Sequence, residues 1–225
     1  MSQPVDLTIE GRPQRPHGSR LVLTLAIAAM IAGLVLAAAY QLTLPRIEAN
    51  RARALRRAVF EVVGGAKRMQ RLAVRDGRLV PADPRSRAGG SGVYAAYDDA
   101  GRFAGYAIEA DGPGFQDTIR LLLGYDPRTK RVTGMFVLES RETPGLGDRI
   151  YKDAAFVRQF RDLATEPQVR LVKGGRTAEN EVDAITGATI SSRSVVKIIN
   201  EALRRWKPLL DQAEPPPAPQ EPQDG

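Results

Sequence analysis

Apolar residues are spaced in three different ways along this chain. Over residues 21–44 they run on without a charge: LVLTLAIAAMIAGLVLAAAYQLTL is 24 residues long. A helix of that length reaches roughly 36 Å at ~1.5 Å per residue, beyond the ~30 Å hydrocarbon core of a bilayer. Being apolar on every face, the segment predicts a transmembrane helix rather than a buried helix of a soluble protein. The competing expectation is a signal peptide cut at Ala37-Ala38-Ala39, but the run exceeds the ~7–15 apolar residues of a signal core. Residues 1–20, with Pro4, Pro13, Pro16 and Gly18, predict a disordered arm.

After Pro45 the spacing becomes helical. Ile47, Leu55, Val59 and Val62 fall on one face, and Gly64-Gly65 stops the pattern, which predicts a stalk helix over 45–66. Alternation then takes over. Residues 93–97 and 103–108 flank Asp98-Asp99-Ala100-Gly101, and residues 118–125 and 132–139 flank Asp126-Pro127-Arg128. Both are hairpin signals. Ile119, Leu121 and Leu123 share one face in the second pair, and Val132, Phe136 and Leu138 are expected to share one too. Between the pairs, Gly112-Pro113-Gly114-Phe115 predicts a tight loop that delivers an aromatic ring. Arg141-Glu142-Thr143-Pro144-Gly145-Leu146-Gly147-Asp148 predicts another loop.

A helix is expected over 153–160, with Phe156 and Phe160 four apart. A longer one is expected over about 190–210, where Val195, Ile199, Ala202, Trp206 and Leu210 form a stripe that should pack on the sheet. The fold expected is α+β: one N-terminal transmembrane helix, then an antiparallel-sheet domain with packed helices over 67–212. Residues 213–225 carry five prolines in thirteen positions and predict a disordered tail. No internal repeat is present.

Composition narrows the chemistry. The 225 residues include no cysteine and a single histidine, His17. Disulfides, thiolate nucleophiles and cysteine-held metal centres are excluded. His17 precedes the apolar run without an acidic partner nearby and is expected to be inert; no catalytic or metal-ligating set emerges. The net charge of +7 does not point to nucleic acid, because the arginines are scattered and no basic segment is interleaved with stacking aromatics. It suits affinity for anionic lipid near a membrane anchor. Arg12, Arg15 and Arg20 precede the span, and Arg46, Arg51, Arg53, Arg56 and Arg57 follow it. By the positive-inside rule this favours a cytoplasmic domain, although long domains translocate regardless of such charges.

The chemically richest stretch is Asp183-Ala184-Ile185-Thr186-Gly187-Ala188-Thr189-Ile190-Ser191-Ser192, placed where a loop meets a helix N-terminus. Its hydroxyls have two uses. Thr186, Thr189 or Ser191 can cap the free N–H groups of the first turn. Alternatively, those N–H groups and the positive end of the helix dipole can hold a phosphate. In that case Gly187 and Ala188 leave room for a large ligand, a threonine carries a phosphate ester, and Ser191 and Ser192 add hydrogen bonds.

This run resembles the flavinylation motif of the FMN-binding domain shared by the G subunits of Rnf electron-transport complexes and the C subunits of sodium-translocating NADH:quinone reductases. Two further features carry the resemblance. Glu142-Thr143-Pro144-Gly145-Leu146-Gly147 matches that family's ETPGLG loop, and Gly112-Pro113-Gly114-Phe115 matches its glycine-aromatic loop. One N-terminal span and about 180 following residues also correspond. Gln116-Asp117 departs from the pattern, which often has more glycine there. The proline-rich tail matches no motif of the family.

The resemblance implies FMN joined by a phosphoester to Thr189, the bond being made from FAD by a separate Mg-dependent flavin transferase. It makes Asp183 and Thr186 the motif's other recognised positions, and favours Glu142 as a polar flavin contact over a solvent-facing charge. Thr143 and Leu146 are expected near the flavin; Phe115 either stacks on it or fills core. The function implied is electron carriage within an ion-translocating ferredoxin/NAD oxidoreductase complex, beside membrane and iron–sulfur subunits. The domain would lie on the periplasmic or outer side of the bacterial inner membrane. Chain length favours the Rnf protein over its quinone-reductase counterpart. A flavin-free anchored assembly module is the alternative from another class. A freestanding flavin reductase is disfavoured, because no G-x-G-x-x-G follows a strand.

Overall fold

The computed structural model describes residues 18–82 and 92–219; His17 and the rest of 1–17 lie outside the described residues, as do 83–91 and 220–225. The chain forms two compact units, one ending at Arg51 and one beginning at Ala52.

Helix α1 (Gly18–Val62) is continuous over 45 residues. Gly18, Ser19 and Arg20 belong to it rather than to the predicted arm. The expected division between span and stalk at Pro45 is no break either. A proline removes one backbone donor, and the helix runs on through it. The apolar part is uncovered all round: Leu25, Met30, Leu34 and Leu42 are each at least 70% exposed. A soluble helix hides such a surface, whereas a lipid-facing span displays it. This one apolar helix is long enough for single-pass anchoring in a membrane.

The last turns of α1 belong to the second unit and bury Ala58, Val59 and Val62. They pack on one face of a seven-stranded antiparallel sheet. Its strands are β1 (Arg68–Arg75), β2 (Arg78–Pro81), β3 (Val93–Tyr97), β4 (Phe103–Pro113), β5 (Thr118–Asp126), β6 (Arg131–Glu139) and β7 (Leu163–Ala164), in the order β2-β1-β3-β4-β5-β6-β7. Three further helices follow: α2 (Arg149–Lys152), α3 (Ala154–Arg158) and α4 (Thr189–Leu210). Strands β8 (Arg170–Val172) and β9 (Glu181–Asp183) pair in parallel beside them. The buried residues of α4, among them Val195, Ile198 and Ile199, cover the opposite face of the sheet. Covered on both sides, β3 is buried at all five positions.

The four strands read from the sequence are present as a meander, with differences. Strand β4 continues to Pro113, so Gly112 and Pro113 pair with Ile119 and Thr118 and the turn is confined to 114–117. In β6 the pairing jumps from Gly134 opposite Gly124 to Val132 opposite Tyr125. This bulge at Thr133 reverses the alternation, so Val132 joins the α4 face while Phe136 and Leu138 join the α1 face. Those three residues do not share a face. The displaced Thr133 hydroxyl donates to Val62 O at 2.6 Å, where α1 ends.

The described part of the tail also differs from the expectation. Residues 213–219 lie against the domain: Ala213 and Ala218 pack on the core, and the Tyr97 hydroxyl donates to Pro216 O. Prolines enter with little conformational entropy left to lose, and an apolar surface suffices to hold them.

Candidate functional site

Helix α4 begins without a cap. Ala188 occupies the N-cap position, where a serine, threonine or aspartate usually stands, and no side chain bonds the first turn. The first backbone bond runs from Ser192 N to Ala188 O. The N–H groups of Thr189, Ile190 and Ser191 are therefore left outside the ladder at the positive end of a 22-residue helix. The capping expectation for Thr186, Thr189 or Ser191 is not met. Ser191 Oγ instead donates to Glu142. Ser192 Oγ donates to Ala188 O at 2.9 Å and accepts from Ile185 N, so it braces the approach to the helix. Gly187 enters at φ +84°, where a side chain would be strained.

Two other loops close on this helix start. One is the β4–β5 turn, fixed by Gly114 N donating to Asp117 O at 2.8 Å. The other is the stretch before α2, which turns because Leu146 N and Asp148 N both donate to Thr143 O. Gly145 takes φ +78° there, and its N–H donates to the Asp148 carboxylate. Lys152, donating to Asp148 at 2.6 Å, holds that carboxyl below the usual carboxylate range. Gln116, the departure from the family pattern, accepts the Thr143 hydroxyl at 2.8 Å and so links the two loops.

Together the three segments enclose a cavity of about 370 Å³, lined by Phe115, Thr143, Leu146 and Gly147 from the loops and by residues 187–191. Its apolar residues face outward: Phe115 is 63%, Leu146 53% and Ile190 52% exposed. Phe115 thus does not fill core. Of the three hydroxyls in the lining, Thr143 and Ser191 already donate to neighbours. No described hydrogen bond engages Thr189 Oγ.

Seven of the ten residues singled out from the sequence meet here: Phe115, Thr143, Leu146, Gly187, Ala188, Thr189 and Ser191. Glu142 stands behind the wall rather than in it, buried against Ser191 and the Phe115 loop. Asp183 and Thr186 also lie outside the lining. The Asp183 carboxylate accepts from Gly175 N and Arg176 N, and its backbone is gripped on both sides by the Gln159 amide. Thr186 offers its carbonyl to Arg149 at 2.8 Å. Both therefore shape the approach to α4. Gly147 and Ile190 were not singled out. The signal for Ile190 was an isoleucine next to Thr189 and off the buried stripe of α4.

An uncapped helix start with small residues at its mouth suits a phosphate, and exposed apolar side chains beside it suit a flat ring. The model of the FMN-binding domain family matches residues 114–204, a stretch that includes the whole lining of this cavity. The model of the RnfG N-terminal region matches residues 17–62. The G subunit of the ion-translocating oxidoreductase complex from Methanosarcina acetivorans is 30% identical over 188 residues, covering 82% of this chain and 92% of the relative. Its namesake from Haemophilus influenzae (strain PittEE) is 31% identical over 184 residues, covering 79% and 84%. The chain belongs to the family of G subunits of ion-translocating oxidoreductase complexes. Its fold is also that of two solved structures, each 20% identical. NqrC of Shewanella oneidensis has a TM-score of 0.61, covering 73% of this chain and all of that one. The C subunit of the Na(+)-translocating NADH-quinone reductase from Parabacteroides distasonis has a TM-score of 0.60, covering 75% and 98%.

Proposed function

We propose that this chain is the membrane-anchored flavoprotein of an Rnf-type ferredoxin/NAD oxidoreductase complex, carrying electrons through FMN held by a phosphoester on Thr189. The observation that carries the proposal is the uncapped start of α4, opening into a cavity where Thr189 has the one hydroxyl not already donating among the described lining residues. The residues fit the cofactor. The N–H groups of Thr189, Ile190 and Ser191 offer donors to a phosphate, and Gly187 and Ala188 offer space beside it. Phe115, Leu146 and Ile190 offer apolar contact to a ring. When bound, FMN supplies one- and two-electron transfer; the protein supplies its place and its electrostatic surroundings.

Attachment is assigned to a separate flavin transferase using FAD. Thr189 Oγ attacks the phosphorus on the riboflavin side, the O–P ester forms, the pyrophosphate bond breaks, AMP leaves and the hydroxyl proton is released. The chain alone is not expected to turn over. Its electrons come from and go to neighbouring membrane and iron–sulfur subunits of the complex. We place the anchor in the bacterial inner membrane with the domain on the periplasmic or outer side, as the family resemblance implies; the flanking arginines do not oppose this, because large domains translocate largely regardless of them. A C-terminal reporter active only in the cytoplasm overturns this placement.

The test of attachment uses the full chain made in a host that possesses the transferase. The denatured protein is expected to fluoresce as a flavin on a gel and to exceed the polypeptide mass by one FMN less water. A bare polypeptide mass sinks the proposal and favours the flavin-free assembly module.

A further inference from the structure

Glu142 is 5% exposed, yet it joins three segments that are far apart in sequence. Its Oε1 accepts the backbone N–H groups of Phe115 and Gln116, each at 2.9 Å. Its Oε2 accepts the Ser191 hydroxyl at 2.5 Å. Both oxygens act as acceptors, as in a carboxylate. The surroundings leave no slack. A Cβ on Gly147 would come 2.5 Å from Oε2, and one on Gly114 would overlap Oε1. Glycine at both positions makes the room that the carboxylate occupies.

Ser191 is the third residue of α4, and Phe115 carries the exposed ring on the other side of the cavity. We propose that Glu142 is a positioning residue: from behind the wall it holds the Phe115 loop and the first turn of α4 in register, so that Thr189 is presented to the cavity, and its charge disfavours added electron density on the cofactor. This inference rests on Thr189 being the flavin acceptor. Deleting the carboxylate leaves a buried hydroxyl and two partly buried backbone N–H groups without their acceptor. Glutamine keeps the bonds, since its carbonyl accepts the two N–H groups and its amide donates to Ser191 Oγ. It removes only the charge.

The experiment compares wild type, Glu142→Gln and Glu142→Ala as full chains supplied with FAD and the transferase. It reads the initial rate of covalent labelling, the thermal unfolding of each chain and the midpoint potential of the labelled protein. Glu142→Ala is expected to label about tenfold more slowly while still folded, because the Phe115 loop and the first turn of α4 lose their shared anchor. Glu142→Gln is expected to label like wild type and to show a raised potential, because a buried negative charge has gone. A change in folding alone does not move the potential in that way. Wild-type labelling of Glu142→Ala overturns the inference. So does slow labelling of folded Glu142→Gln, or an unchanged potential in it. If Glu142→Ala does not fold, the two readings on Glu142→Gln decide. A wild-type chain that takes no flavin defeats the acceptor assignment itself, and this inference with it.

Discussion

Thr189→Ala is expected to leave a folded protein with no covalent flavin. Thr189 is the first residue of α4 and lines the cavity beside Gly187 and Ala188. The other hydroxyls in the lining are occupied: Thr143 donates to Gln116, and Ser191 donates to Glu142. Removing the Thr189 hydroxyl therefore removes the available nucleophile without breaking a described hydrogen bond. The fold should not suffer, because the side chain caps nothing and alanine is the better helix former by at most about 0.7 kcal/mol. Flavin fluorescence of the denatured protein should fall to background, while thermal unfolding stays within a degree or two of wild type. Fluorescence that survives in this variant would move the ester to another hydroxyl, with Thr186 or Ser191 as the candidates.

The largest loss of stability is expected from Gly124→Ala, about 3 kcal/mol, at a position outside the lining of the candidate cavity. Gly124 and Gly134 face each other across β5 and β6 and form a dimple in the sheet. The end of α1 sits in it: a Cβ on Gly124 would overlap Val62 O and the Thr133 hydroxyl, and one on Gly134 would come 3.0 Å from Val62 Cα. The obstacle is backbone, which cannot rotate away as a side-chain tip can. It also interrupts the hydrogen bond that the Thr133 hydroxyl donates to Val62 O, the last carbonyl of the helix. For a unit of this size the loss corresponds to a fall in melting temperature of about 6–12 °C. Thermal unfolding followed by circular dichroism measures it. An unchanged melting temperature would mean that the end of α1 does not rest on the sheet in solution.

How much of this was legible beforehand depended on whether the signal was local. The meander of β3 to β6 could be read because alternation and turn residues lie within a few positions of one another. The hairpin of β1 and β2 was readable and missed. Asp76 and Gly77 both take positive φ, the two-residue turn that an Asp-Gly pair signals. Strands β7, β8 and β9 span only two or three residues each and carry no period of their own. The bulge at Thr133 could not be read either. It inverts the face of everything before it in β6, and its cause is the need to meet the end of α1, 71 residues earlier.

The site divides in the same way. The sequence by itself singled out the candidate residues, because a threonine, two minimal residues and a helix start are contiguous in 186–190. It also determined the membrane anchor, since a long charge-free apolar run needs no tertiary partner to declare itself. Only the tertiary structure decided what each hydroxyl and carboxylate does. Ser191 was free to cap its own helix until a buried Glu142, 49 residues away, took its hydroxyl. Asp183, a recognised position of the motif, is held by Gly175, Arg176 and Gln159, partners that its own segment does not reveal. A polar side chain bonds whatever the fold brings within about 3 Å of it. Those neighbours are set by packing across the chain, so their identities lie outside any local pattern.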